Sequence, residues 1–207
     1  MINSLYSFDL TPTNQPMKYK LLALAGLALL CSSCITIYGV ASDYKKLDPA
    51  LHPYLATYEE GKDTQHNRVY AITGEQIRQQ MEQHDKILVY TFANSCVGPT
   101  CYPLATFKRW ADENGYKLFL VTTGYGALGT TLSQQIDLPL YVVNYKAYNT
   151  NMHGKCNNRF LMDLLQNEAN PKAIVKDKYA SLYAFEKGKL TQVSDDLLQL
   201  EPKFIQL

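Results

Sequence analysis

The chain has 207 residues, room for one well-packed domain with attachments. Its 20 Lys and Arg stand against 19 Asp and Glu, a formal net charge of +1, which leaves neither a basic field for nucleic acid nor an acidic block that would force disorder. Repeats and low-complexity runs are absent from the sequence, and 16 tyrosines against one tryptophan carry no functional signal by themselves.

The first informative stretch is "MKYKLLALAGLALLCSSC", beginning at Met17, in which two lysines precede an unbroken apolar run over Leu21–Leu30. That run is well short of the roughly 20 residues a helix needs to cross a ~30 Å hydrocarbon core. It has the proportions of a signal-peptide hydrophobic region. With Cys31, Ser32, Ser33 and Cys34 after it, the segment resembles a bacterial lipoprotein signal. The resemblance implies cleavage before Cys34 and attachment of lipid to Cys34, because small Ser32 and Ser33 precede it whereas bulky Leu30 precedes Cys31. Cys31 departs from the pattern, which usually has an aliphatic residue there; an ordinary secretory signal or a short uncleaved anchor is the plainer alternative. Residues 1–16 lack the charge and apolar pattern of a targeting segment and read as an upstream extension. The expected organisation is a signal over 17–33, a proline-punctuated tether over 34–66, and one domain over 67–207. Export changes what the cysteines mean, since disulfides persist outside the cytoplasm. Once Cys31 and Cys34 are set aside, Cys96, Cys101 and Cys156 remain, and an odd number cannot all pair internally.

Along the domain, "RVYAITG" predicts a short strand and "EQIRQQMEQH" a short helix with Ile77 and Met81 on one face. "KILVYTF" is a continuous apolar run suited to a strand buried on both faces. In "CYPLATFKRWADENG", Leu104, Phe107, Trp110 and Ala111 form one helical stripe, with Gly115 at the C-cap. "YKLFLVTTG" predicts a second buried strand, "TTLSQQI" a short helix, and "LYVVNY" after Pro139 a third apolar strand. "CNNRFLMDLLQ" is helical in register, and "YASLYAFEKGKLTQV" is a hairpin turning over Glu186 to Gly188. Alternating strands and helices imply a largely parallel sheet covered on both faces and ended by an antiparallel hairpin. In such sheets functional residues gather at strand C-termini, which is where "NSCVGPTCYP" lies. Thr100 is the expected helix cap, with Cys101 as the first helical residue and Pro103 in the first turn. A helix N-terminus there would favour a thiolate.

The unit "KILVYTFANSC" followed by "PTCYPLATFKRW", with the closing "SLYAFEKGKLTQV", resembles the thioredoxin fold family, nearest to its exported, membrane-tethered thiol-disulfide oxidoreductases. The resemblance implies a thioredoxin-like three-layer α/β/α sandwich with a central mixed sheet. Residue by residue it makes Cys96 the nucleophile and Cys101 the resolving thiol. It requires no small-molecule cofactor and implies exported partner proteins that carry thiols or disulfides, with the domain on the periplasmic side of a bacterial envelope. Several positions depart from the family. Four residues rather than two separate the cysteines, Tyr90 stands in place of a buried carboxylate, and Ser95 in place of a tryptophan. The substrate-groove position usually held by a cis-proline aligns with Ala180, preceded by Tyr179; Pro139 is a rival for that role.

Two other readings remain open. Cys96, Cys101, His153 and Cys156 would make a tetrahedral zinc or soft copper site, His153 and Cys156 being spaced H-x-x-C. Alternatively the cysteine pair only staples a loop of a redox-silent interaction module. Cys156 is either a buried inert thiol or a second resolving thiol. His52, His66 and His84 join no constellation. "TTGYGALGTT" lacks the lysine of a phosphate loop and reads as a flexible connection over the sheet.

Overall fold

Seven strands form one mixed sheet in the computed structural model, which describes residues 43–96, 98, 101–177 and 181–200. The strands are β1 (Leu55–Thr57), β2 (Val69–Ile72), β3 (Lys86–Phe92), β4 (Lys117–Thr122), β5 (Leu140–Val143), β6 (Leu182–Glu186) and β7 (Lys189–Ser194), in the spatial order β1-β2-β5-β4-β3-β6-β7. Neighbours are parallel from β1 through to β3, and β6 and β7 run antiparallel. The helices are α1 (Gly74–Gln80), α2 (Leu104–Asn114), α3 (Leu128–Leu132), α4 (His153–Leu164) and α5 (Pro171–Asp177).

β3 shows why the layers form. Its even residues Leu88, Tyr90 and Phe92 pack with Leu104, Phe107 and Ala111 of α2, while Ile87 and Val89 pack with Phe160, Leu161 and Leu164 of α4. Alternate side chains of a strand point to opposite faces, so an all-apolar run must be covered twice. The chain is therefore an α/β protein of the thioredoxin-like class, a three-layer α/β/α sandwich around a mixed sheet.

Local signals set several element ends. A reciprocal capping box starts α1: Gln76 N donates to Thr73 Oγ1 at 3.2 Å and Thr73 N donates to Gln76 Oε1 at 2.9 Å. Gly115 closes α2 in the left-handed conformation, φ 71°. Lys187 and Gly188 both have positive φ, 50° and 73°, as a tight primed hairpin turn requires.

The structure departs from the sequence reading in several places. Residues from Asp43 to 66 are part of the domain: Tyr44–Lys46 and Pro49–Tyr54 are short 3-10 helices, Leu55–Thr57 adds a parallel edge strand, and Leu47 is buried in the core. The expected tether over 34–66 is therefore not a tether over 43–66, since Tyr44, Leu47, Leu51 and Leu55 supply an apolar set that the sheet face takes up; residues 34–42 lie outside the described residues. Helix α2 begins at Leu104 with Pro103 as N-cap, so Cys101 precedes it. Proline disfavours helical geometry in the residue before it, which excludes Tyr102 and Cys101 from the first turn. Helix α5 follows Asn170, whose Oδ1 accepts from Ala173 N at 3.2 Å, and no apolar period had announced it.

Gly74 sits where α1 meets α4, and a Cβ there would lie 2.1 Å from Phe160 O and 2.6 Å from Leu164 N. Both neighbours are backbone atoms and cannot yield by a rotamer change. Gly74→Ala is therefore expected to lower unfolding free energy by about 2–3 kcal/mol, in the range of overpacked cores. A urea midpoint within error of the parent would contradict the tight crossing.

Candidate functional site

The cysteine loop leaves the C-terminal end of β3, where Thr123 N donates to Phe92 O at 2.9 Å and holds β4 and β3 together to their ends. The chain then turns twice: Cys96 N donates to Ala93 O at 3.1 Å and Cys101 N to Gly98 O at 3.1 Å. These turns bring the Cα atoms of Cys96 and Cys101 to 5.7 Å, and the two sulfurs form a disulfide. The sulfurs are not equivalent. Cys96 is exposed and Cys101 half-buried, and Gly98 N donates to Cys101 Sγ at 3.0 Å. An amide aimed at that sulfur favours negative charge on Cys101 when the bond opens, a role the sequence had assigned to the N-terminus of α2. The first amide of that helix is instead taken by a side chain, since Leu104 N donates to Gln134 Oε1 at 2.9 Å.

Asn94 fixes the loop to the rest of the fold. Its side chain is buried, donates through Nδ2 to Gly124 O at 2.8 Å, and accepts at Oδ1 from Thr131 Oγ1 at 2.6 Å. Gly124 O also accepts from Thr122 Oγ1 at 2.9 Å. Beyond the cysteines, Tyr102 Oη donates to Asp196 Oδ1 at 3.1 Å, tying the loop to the segment after β7. Partial burial and then this contact with Asp196 raise the Tyr102 pKa. Sequence reasoning did not single out Asn94, Thr131, Gln134 or Tyr102. An asparagine two positions before a cysteine at a strand end was a visible signal for the first, but nothing in the pattern pairs it with a threonine 37 residues on.

An open cleft of about 320 Å³ borders the disulfide, lined by Tyr90, Phe92, Tyr102, Leu104, Thr131 and Gln134 together with the cysteines. No charged side chain lines it among the described residues. Tyr90 stacks on Phe107 with ring centroids 3.9 Å apart, and burial raises its pKa, so the phenol stays neutral where a carboxylate would exchange protons. Ser95 is exposed.

The other residues singled out from the sequence lie elsewhere. Pro139 opens β5 beside Leu140, which is in register with Leu120 and through it with Tyr90. That places Pro139 two strands from β3 and level with its middle, and it does not line the cleft. Tyr179, Ala180, Cys34 and Thr100 lie outside the described residues. His153 and Cys156 share the first turn of α4. They do not join the cysteine pair: among the described residues no three His, Cys, Asp or Glu side chains converge as metal ligands, and Cys96 and Cys101 are bonded to each other. His66 contacts Asp137, His52 stacks on Tyr44, and burial, with Lys117 nearby, lowers the His84 pKa.

The glycine-rich stretch is not a loose connection. Asp43 Oδ1 accepts from Tyr125 N at 2.8 Å and lies 3.8 Å from His153 Nε2. A Cβ on Gly124 would meet His153 at 2.6 Å and one on Gly126 would meet Asp43 Oδ2 at 2.5 Å, so both glycines make room for this pair. Connections leave β4 and β5 toward opposite faces here, through α3 and α4, the place where open α/β sheets offer ligands a crevice. Asp43 and His153 fill it, leaving about 10 Å³ beside Tyr125 and Cys156. No protein-family profile, curated protein or solved structure matches the chain.

Cys156 is 5% exposed, and burial pushes its thiol from the ordinary 9.0 up to about 11, against a smaller opposing pull from Arg159. At pH 8 its thiolate fraction is then smaller by about a hundredfold than that of an unperturbed thiol. Alkylation of the native protein with iodoacetamide, read by peptide mass mapping, should label Cys156 negligibly at pH 8 and increasingly as pH rises toward 11. Full labelling of Cys156 within minutes at pH 8 would show it open and reactive.

Proposed function

We propose that the chain is an exported, lipid-anchored thiol-disulfide oxidoreductase acting on thiols or disulfides of other envelope proteins. One observation carries the reading: a disulfide with one exposed member, Cys96, sits at the C-terminal end of a buried strand beside an open, uncharged cleft. The signal-like "LLALAGLALLCSSC" supports the export and lipid part.

The exchange has two balanced steps. A partner thiolate attacks Cys96 Sγ, the exposed member; the Cys96–Cys101 bond breaks and its electron pair goes to Cys101 Sγ, which the Gly98 amide faces at 3.0 Å. A second partner thiol, after losing its proton to solvent, then attacks the partner sulfur of the mixed disulfide and releases Cys96 as thiolate. The partner gains a disulfide, and the two cysteines, released as thiolates, gain two electrons and take up two protons from solvent. Run backwards, the same steps reduce a partner, with Cys96 attacking and Cys101 resolving. Tyr90, kept neutral by burial, takes no proton in this scheme.

The purified protein should equilibrate its Cys96–Cys101 pair with glutathione buffers and catalyse insulin disulfide reduction with dithiothreitol as reductant. Cys96→Ser is expected to bring insulin reduction to background, whereas Cys101→Ser should accumulate a mixed disulfide on Cys96 visible on a non-reducing gel. A pair that resists reduction and shows no turnover would favour a stapled interaction module instead. Cys34→Ala should move the protein from the membrane to the soluble fraction of expressing cells; unchanged membrane association would remove the lipid part of the reading.

A further inference from the structure

We infer that Asn94, Thr131, Gln134 and Tyr102 are positioning residues that set the thiol–disulfide equilibrium of the Cys96–Cys101 pair by clamping the loop from both sides. This inference rests on the redox reading above. The loop is held before its first cysteine by Asn94, bonded to Thr131 Oγ1 at 2.6 Å and to Gly124 O at 2.8 Å. It is held after its second by Tyr102, bonded to Asp196 at 3.1 Å, and by Leu104 N, bonded to Gln134 Oε1 at 2.9 Å. Between these points the backbone is also pinned by turns at Cys96 and Cys101.

The two sides converge on one short element. Thr131 belongs to α3, and Gln134 lies three residues later, so a single helix and its end hold the chain on either side of the cysteines. Thr131 is 1% exposed and Asn94 9%, so their mutual bond is shielded from water, and breaking one side leaves the other group unsatisfied. Glycine occupies position 98 between the cysteines, and Pro103 caps α2 directly after Tyr102, so the clamp limits the freedom that this loop would otherwise regain on reduction.

The equilibrium follows from this restriction. In protein dithiol plus glutathione disulfide giving protein disulfide plus two glutathione, Cys96 and Cys101 lose two S–H bonds and form one S–S bond, and two electrons pass to glutathione. The constant measures how concentrated the two thiols are at each other's position, and a loop already held with its ends together loses little entropy on closing. Releasing an anchor loosens the reduced loop more than the bridged one. The disulfide then becomes easier to reduce and the potential less negative.

The test measures the glutathione equilibrium constant of the full-length protein by acid quenching, alkylation and mass mapping of the Cys96 and Cys101 peptides. Asn94→Ala and Thr131→Val should each lower the constant for disulfide formation by about five- to tenfold, the effect of one lost hydrogen bond; tenfold corresponds to about 30 mV for this two-electron couple. Gln134→Ala, at an exposed position, should shift it in the same direction by less. Thr131→Ser, which keeps the hydroxyl, should remain within about twofold of the parent. Gly74→Ala weakens the domain on the other sheet face and should move the urea midpoint while leaving the constant in place. Constants unchanged in Asn94→Ala, Thr131→Val and Gln134→Ala, with a parent that still cycles, would overturn this inference alone. A shift as large in Gly74→Ala would also overturn it, by making the effect one of general stability. Should Asn94→Ala and Thr131→Val fail to fold, Gln134→Ala decides. A parent pair that never equilibrates with glutathione would bring down the redox reading and this inference with it.

Discussion

The double burial of β3 is the constraint on which the rest depends. Seven residues, Lys86–Phe92, form an interior strand of the sheet with parallel β4 on one side and antiparallel β6 on the other. Because both faces are apolar, α2 must cover one and α4 the other. A one-residue slip would exchange the two faces, putting Tyr90 and Phe92 under α4 and Val89 under α2. Register and layer order are thereby fixed together. So is the height at which Phe92 ends the strand and hands the chain to Asn94 and Cys96.

That rigidity contrasts with how the loop itself is held. Strand and helix supply its two ends, but side-chain hydrogen bonds from residues remote in sequence fix its path. Asn94 reaches across to Gly124 and Thr131, and Tyr102 reaches to Asp196 beyond β7. The Gly124 carbonyl that accepts from Asn94 belongs to the glycine stretch that receives Asp43. The segment that begins the described domain and the cysteine loop thus lean on the same three residues, 124–126.

Elements defined by local chemistry were legible in the sequence. "KILVYTF" is the strand expected, Gly115 caps α2, and the Lys187-Gly188 turn joins β6 to β7 where the hairpin was expected. The α/β/α class followed from alternating apolar periods, and the cysteine pair could be assigned to a strand end. What escaped was set by long-range contact. β1 has three residues with no apolar alternation of its own, and only its pairing with Val69, Tyr70 and Ala71 makes it a strand. "TTGYGALGTT" looked pliable because its glycines answer to Asp43 and His153, far away in sequence, rather than to any local need for freedom. Thr100 and Cys101 carry acceptable capping chemistry and point to a start of α2 three residues early, whereas Pro103 decides the matter through sterics on its predecessor.

Cys156 has a consequence for how the chain acquires its bridge. Three described thiols admit three one-bond pairings, and only one of them occurs here. Cys96 and Cys101 are five apart in sequence, so they meet often in an unfolded chain, but proximity alone does not forbid the long-range bridges to Cys156. The docking of α4 does, since in the packed chain it holds that sulfur beneath the sheet, away from an oxidant. Timing therefore matters: a chain that packs first and is oxidised second leaves Cys96 and Cys101 only each other to pair with, whereas oxidation before packing leaves all three pairings open.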